Sequence, residues 1–179
     1  MPTTPSSTAR GTGLPAGPGL ALVLLLVLAA CTGGTAMEPT LTEEQARDRA
    51  EQHIQDAITV LPDEPTLNLL SDYSDECTDP TDNGPQGRYQ VGKTYWLDDL
   101  SPERNDAYLD ALRAHWEANN YRINSDNRPD DRTITVEHNE DAFRMSVVAR
   151  PDDQRLSLGA GSPCIWPEGT PPEDDEPGF

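Results

Sequence analysis

Thr133-Ile-Thr-Val-Glu-His138 and Phe143-Arg-Met-Ser-Val-Val-Ala-Arg150 are the two stretches that decide the fold. In the first, Ile134 and Val136 alternate with Thr133, Thr135 and Glu137. In the second, Phe143, Met145, Val147 and Ala149 alternate with Arg144, Ser146, Val148 and Arg150. Successive side chains of a strand point to opposite faces, so this period of two marks strands with one face buried and the other wet. The joins Asn139-Glu140-Asp141 and Pro151-Asp152-Asp153-Gln154 are short and turn-forming, which predicts antiparallel neighbours. Tyr121 to Asn124 opens this meander and Leu156 with Leu158 forms a short last strand. Gly159-Ala160-Gly161 reads as a break in the pattern before Cys164.

Working toward the N-terminus, Ser101-Pro102 predicts a helix start, with proline at the first helical position where it lacks no needed donor. Tyr108, Leu109, Leu112 and Trp116 fall on one face of that helix, which ends near Asn119-Asn120. Before it, Tyr89, Val91, Tyr95 and Leu97 alternate with Arg88, Gln90, Thr94 and Trp96 as in a half-buried strand. Thr66 to Tyr73 is another strand, and an acidic loop from about Ser74 to Gly87 joins the two. The first element is a helix with Thr42 as N-cap, Gln45 at the capping-box position and Leu41 placed to staple onto Ala46. Ala46, Ala50, Ile54, Ala57, Ile58 and Leu61 recur at helical spacing, and Pro62 closes the segment.

The order helix, two strands, helix, three or four strands predicts an α+β domain. Two helices pack on one face of a mostly antiparallel sheet of about five to six strands, whose other face stays partly wet. The domain is expected over residues 42–166. Residues 167–179, with four prolines and five acidic side chains, read as a disordered acidic tail.

Upstream of the domain lies Leu20 to Ala30, an unbroken apolar run of eleven residues behind Arg10, closed by the small residues Ala29 and Ala30. As a helix it rises about 16 Å against a hydrocarbon core of about 30 Å, so it reads as a cleaved secretory signal rather than a span. Leu28-Ala29-Ala30-Cys31 resembles the lipobox of bacterial lipoproteins. The resemblance implies that residues 1–30 are removed and that Cys31 becomes the lipid-bearing first residue. Residues 31–41 would then be a flexible tether holding the domain against the outer face of the cell membrane.

Removing 30 of 179 residues leaves 149, enough for one domain with a real core. It also removes one arginine and no acid, so the formal charge moves from −19 to −20. Such a surface repels phosphate backbones and anionic headgroups, which argues against nucleic acid and leaves the lipid as the means of membrane contact.

With Cys31 committed to lipid, Cys77 and Cys164 remain outside the cytoplasm, where disulfides persist, and are expected to pair. A free reactive thiol is the rival, without an adjacent His or Lys to lower its pKa. The helix bearing Trp116, the meander, and the ending Ser162-Pro163-Cys164-Ile165-Trp166-Pro167 resemble small actinobacterial lipoproteins of unassigned function. That resemblance supports the lipid and the disulfide and brings no activity with it.

Chemistry is sparse. His53, His115 and His138 are the three histidines, and none has a second His or Cys at metal-ligand spacing, so they read as semi-buried or edge residues. No nucleophile, phosphate-loop or His-Glu-x-x-His motif is present. With 32 acidic residues, a glycosidase-type carboxylate pair is open as a third reading but picks out no positions. Asp79, Thr81, Asn83 and Gly84 fall on positions 1, 3, 5 and 6 of an EF-hand-like loop, yet position 12 is Gln90 and no helix precedes it. Trp96 sits at polar parity in its strand, and with Trp166 it is the candidate interaction surface, unless the C-terminal segment folds over both.

The function expected is therefore a monomeric, non-enzymatic, lipid-anchored envelope protein with no cofactor, catalytic residue or metal. It would bind or stabilise a protein or envelope component. A calcium or small-ligand module is the alternative.

Overall fold

The Thr42 hydroxyl accepts from the Gln45 amide and the Gln45 side chain accepts from the Thr42 amide, so the capping box forms in full and starts α1 (Glu43–Ile58). In the computed structural model, which describes residues 40–78 and 84–172, all of these belong to one compact unit. α1 is followed by β1 (Thr66–Glu76), β2 (Tyr89–Asp98), α2 (Asn105–Ala118), β3 (Tyr121–Asp126), β4 (Thr133–His138), β5 (Arg144–Ala149) and β6 (Leu156–Gly161). Pro102–Arg104 forms a short 3-10 turn, so α2 itself begins three residues after the proline.

The six strands make one sheet in the order β1-β2-β6-β5-β4-β3, every neighbouring pair antiparallel. The register explains the core. Ile134 faces Val147, Val136 faces Met145, Met145 faces Ala160, Val147 faces Leu158 and Ala149 faces Leu156. Cross-strand partners share a face, so these residues form one apolar floor. Ala46, Ala50, Ile54 and Ala57 of α1 and Tyr108, Leu109, Leu112 and Trp116 of α2 close over it, all fully buried. α1 lies over β2 and β6, and α2 over β3 and β4. The expected α+β architecture, with one disulfide between Cys77 and Cys164, is the one observed.

Three local expectations change. β1 runs on to Glu76, because Asp75 and Glu76 pair with Gln90 and Tyr89 and so leave the acidic loop. Gly159-Ala160-Gly161 is not a break but the end of β6, paired on both sides. Pro167 to Gly169 is part of the domain: the Pro167 carbonyl accepts from the Glu43 amide (2.8–2.9 Å is the range of these contacts) and the Gly169 carbonyl from the Thr40 amide. Residues 173–179 of the expected tail lie outside the described residues, as do 31–39 of the expected tether.

The glycines of β2 and β6 have a steric reason. A Cβ on Gly92 would come within 2.5 Å of the Tyr73 ring, and one on Gly161 within 3.0 Å of the Tyr73 hydroxyl. A Cβ on Gly159 would lie 2.6 Å from Thr94 Oγ1 and 3.1 Å from the Lys93 carbonyl. Gly159→Ala is expected to cost about 1–3 kcal/mol, the usual penalty of forcing a methyl into filled space, read as a lower urea midpoint. An unchanged midpoint would mean that Thr94 rotates away at no cost.

Candidate functional site

The two sides of the sheet carry different chemistry. On the side away from the helices, cross-strand partners place Gly92 beside Gly161, Thr94 beside Gly159, Thr135 beside Ser146 and Glu137 beside Arg144. Small residues in the middle of a twisted sheet leave a trough. Tyr73, Thr94, Asn124, Thr135, Ser146 and Gly159 border a cavity of about 380 Å3 there. A second, of about 480 Å3, continues it toward the disulfide past Asp75, Arg88, Glu137 and Ser162, and Gln90 and Arg144 line both. Glu137 is nearly buried in its floor, accepting from Arg122 at 2.8 Å and Arg144 at 3.0 Å, so the arginines outnumber the acid they hold.

Trp96 lies on this same open side. It is half-buried, with the Arg155 guanidinium 4.5 Å and the Arg150 guanidinium 5.5 Å from its ring. Arg155 is fixed in turn by Asp98 at 2.6 Å. Trp166 is not on the open surface: it is 2% exposed, its amide donates to Thr40 Oγ1, and Ile165 before it pairs with Tyr89. The C-terminal segment thus buries Trp166 next to the start of α1 and leaves Trp96 to its arginines, which removes Trp166 from the expected interaction surface. Cys77 and Cys164 are joined, with Cα atoms 6.2 Å apart. Cys31, and Asp79, Thr81 and Asn83 of the EF-hand-like loop, lie outside the described residues. Asp72 is committed to Arg47, and Asp75 and Glu76 are in a strand.

The other side brings together residues that sequence spacing kept apart. His53 on the buried face of α1 meets His138 at the end of β4, their ring centroids 5.2 Å apart. Asp141, in the turn between β4 and β5, reaches both: its Oδ2 lies 3.0 Å from His53 Nε2 and its Oδ1 2.8 Å from His138 Nδ1. The turn is fixed by the Ala142 amide donating to the His138 carbonyl and by Ala142 in the left-handed region. Arg49 donates to Asp141 Oδ2 at 2.7 Å, and the Tyr121 hydroxyl sits 2.5 Å from His53 Nδ1. Arg49, His53, Thr59, His115, Tyr121 and His138 line a cleft of about 310 Å3, so all three histidines open onto one space.

Burial pushes the His53 pKa down against the pull of Asp141 and keeps the ring neutral at neutral pH. Burial also works against Asp141, but the Arg49 guanidinium, the Phe143 amide and His138 outweigh it and hold the carboxyl at about 2. Burial and the Asp141 charge raise Tyr121 to about 12. An ionised carboxylate, a neutral imidazole and a protonated phenol thus meet at one point.

Among the described residues no helix is long and apolar enough to cross a membrane. No family model, no curated protein and no solved structure matches this chain.

Proposed function

We propose that this protein is a lipid-anchored, non-enzymatic domain on the outer face of the cell membrane that holds a protein partner of the envelope in the trough of its open sheet face. The observation that carries this reading is the trough itself. Two helices cover one side of a six-stranded sheet, and nothing among the described residues covers the other, where neighbouring cavities of about 380 and 480 Å3, both lined by Gln90 and Arg144, lie between Tyr73 and the disulfide. Its floor offers the hydroxyl groups of Thr94, Thr135 and Ser146. Its wall carries the Arg144 guanidinium, which donates to Glu137 through Nε and suits a polar extended segment. Cavities of this size also suit a small polar ligand, and that is the second reading.

The anchor rests on the resemblance of Leu28-Ala29-Ala30-Cys31 to a lipobox. Cys31→Ser is expected to release the protein from membranes or to leave the precursor uncut, seen as a changed mature mass and a changed membrane fraction. An unshifted mass and unaltered fractionation would overturn the anchor.

The binding reading is tested by crosslinking the protein in its cells and identifying attached proteins by mass spectrometry, with Arg144→Glu and Ser146→Trp as variants that reverse a wall charge and plug the floor. A partner recovered with the wild type and lost with both variants supports the reading. A partner retained by both would place binding elsewhere, and no enriched protein would favour the small-ligand reading.

A further inference from the structure

The histidine cleft is independent of the trough, on the opposite side of the sheet, and its side chains form a different kind of site. His53, His138 and Asp141 can each offer one ligand atom, and these atoms lie within 4.8 Å of one another. Two ligands of a tetrahedral zinc, each 2.0–2.1 Å from the ion, are about 3.3 Å apart. His53 Nε2 lies 3.0 Å from Asp141 Oδ2 and His138 Nδ1 lies 2.8 Å from Asp141 Oδ1, so the two histidines reach opposite oxygens of one carboxylate, and one ligand atom from each residue falls within 4.8 Å of the others. Coordination through one carboxylate oxygen calls for a turn of the Asp141 carboxylate between the two rings.

We propose that His53, His138 and Asp141 form a site for a first-row divalent transition metal ion such as zinc, beneath the cleft between α1, α2 and β4. Two imidazole nitrogens and one carboxylate oxygen favour zinc, nickel or copper over the hard ions calcium and magnesium, which take all-oxygen sites. The two ligand histidines border the cleft, which gives a route from solvent to their rings, with His115 lining the same space.

The surroundings are those of a held ligand set. Tyr121 fixes the ring of His53 through Nδ1, Phe143 packs against that ring with centroids 5.1 Å apart, and the Phe143 amide donates to Asp141 Oδ1 at 3.3 Å. A second hydrogen bond on the far nitrogen is what orients metal-ligating histidines. The proton balance closes on His53 itself. Without metal, Nε2–H donates to Asp141 and Nδ1 accepts from the Tyr121 hydroxyl. With metal on Nε2, the ring proton sits on Nδ1 and donates to the Tyr121 oxygen, so the neutral imidazole changes tautomer and releases no proton. Arg49 stays on the carboxylate edge that faces it or turns to the solvent beside it.

The test is calorimetry with zinc chloride on the protein purified from membranes in a non-chelating buffer at neutral pH. One equivalent should bind, calcium should not displace it, and at a hundredfold excess over Kd the melting temperature should rise by roughly 5–10 °C. His138→Ala and Asp141→Asn should each weaken zinc at least about 100-fold, Tyr121→Phe about 10-fold, and His115→Ala less than about 3-fold. Because His138→Ala removes a hydrogen-bonded ring at the end of β4 and can cost folding, the wild type also carries its own readout. On zinc addition the His53 and His138 ring signals should shift in NMR spectra while His115 moves little. No heat and no melting shift at millimolar zinc would overturn the site, as would ring signals of His53 and His138 that stay in place while zinc binds.

Discussion

The double variant Cys77→Ser/Cys164→Ser should unfold about 4–5 kcal/mol more easily than the wild type and melt roughly 15 °C lower. The two cysteines are 87 residues apart, so in the chain-entropy account their bond removes a large share of the freedom of the unfolded chain. The folded chain has little reason to rearrange when the bond is lost. Tyr89 and Ile165 exchange both backbone hydrogen bonds at 2.8 Å, the Ser162 hydroxyl accepts from the Val91 amide, and Gln90 donates to the Ser162 carbonyl at 2.7 Å. These contacts hold the C-terminal segment to β2 independently of sulfur. The variant should therefore keep its native circular dichroism while its urea midpoint falls. A loss below about 1 kcal/mol would mean that the unfolded chain is already restrained without the bond. A loss of native signal at low temperature would mean that the backbone pairings need the disulfide to form.

What could be read from the sequence, and what could not, divides by range. The alternation in β4 and β5, the helical face of Tyr108, Leu109, Leu112 and Trp116, and the capping box at Thr42 are local signals, and each appears where it was expected. β1 ran further than expected because Asp75 and Glu76 look like loop residues, and only their pairing with β2 makes them strand. Gly159-Ala160-Gly161 looked like a break because glycine weakens an isolated strand, whereas here a side chain at Gly159 would meet Thr94 and one at Gly161 would meet Tyr73. Trp166 fell in a segment with no periodicity, and its burial follows from the pairing of Ile165 with Tyr89.

The histidine cleft is the instructive case. His53 shares a helical face with Ala46, Ala50 and Ala57, and His138 follows the parity of Ile134 and Val136, so each was readable as inward-facing. That they meet, and that Asp141 joins them from a turn, depends on α1 lying over the sheet and on the order of its strands. Neither can be inferred from spacing along the chain.

Trp116→Ala should be the most damaging single substitution in the core, at about 3–5 kcal/mol, while Trp116→Phe should cost no more than about 1–2. The indole is fully buried, so truncation to a methyl leaves a void that packed neighbours cannot fill. Its Nε1, however, has no hydrogen-bond partner among the described residues, and a buried donor without one carries a desolvation penalty of about 1–3 kcal/mol. Phenylalanine loses part of the ring but also that penalty, and the two changes largely offset each other. A loss for Trp116→Phe well above about 2 kcal/mol in urea denaturation would mean that the missing ring volume alone decides and that the orphan N–H costs nothing. The substitution also reaches the cleft. Trp116 lies 6.5 Å from the Tyr121 ring, and Tyr121 is the group that orients His53. Removing the indole frees Tyr121 to sink into the void and leaves His53 Nδ1 without its partner. Trp116→Ala that is still folded at low temperature should therefore bind zinc about as weakly as Tyr121→Phe, and Trp116→Phe should bind it nearly as tightly as the wild type.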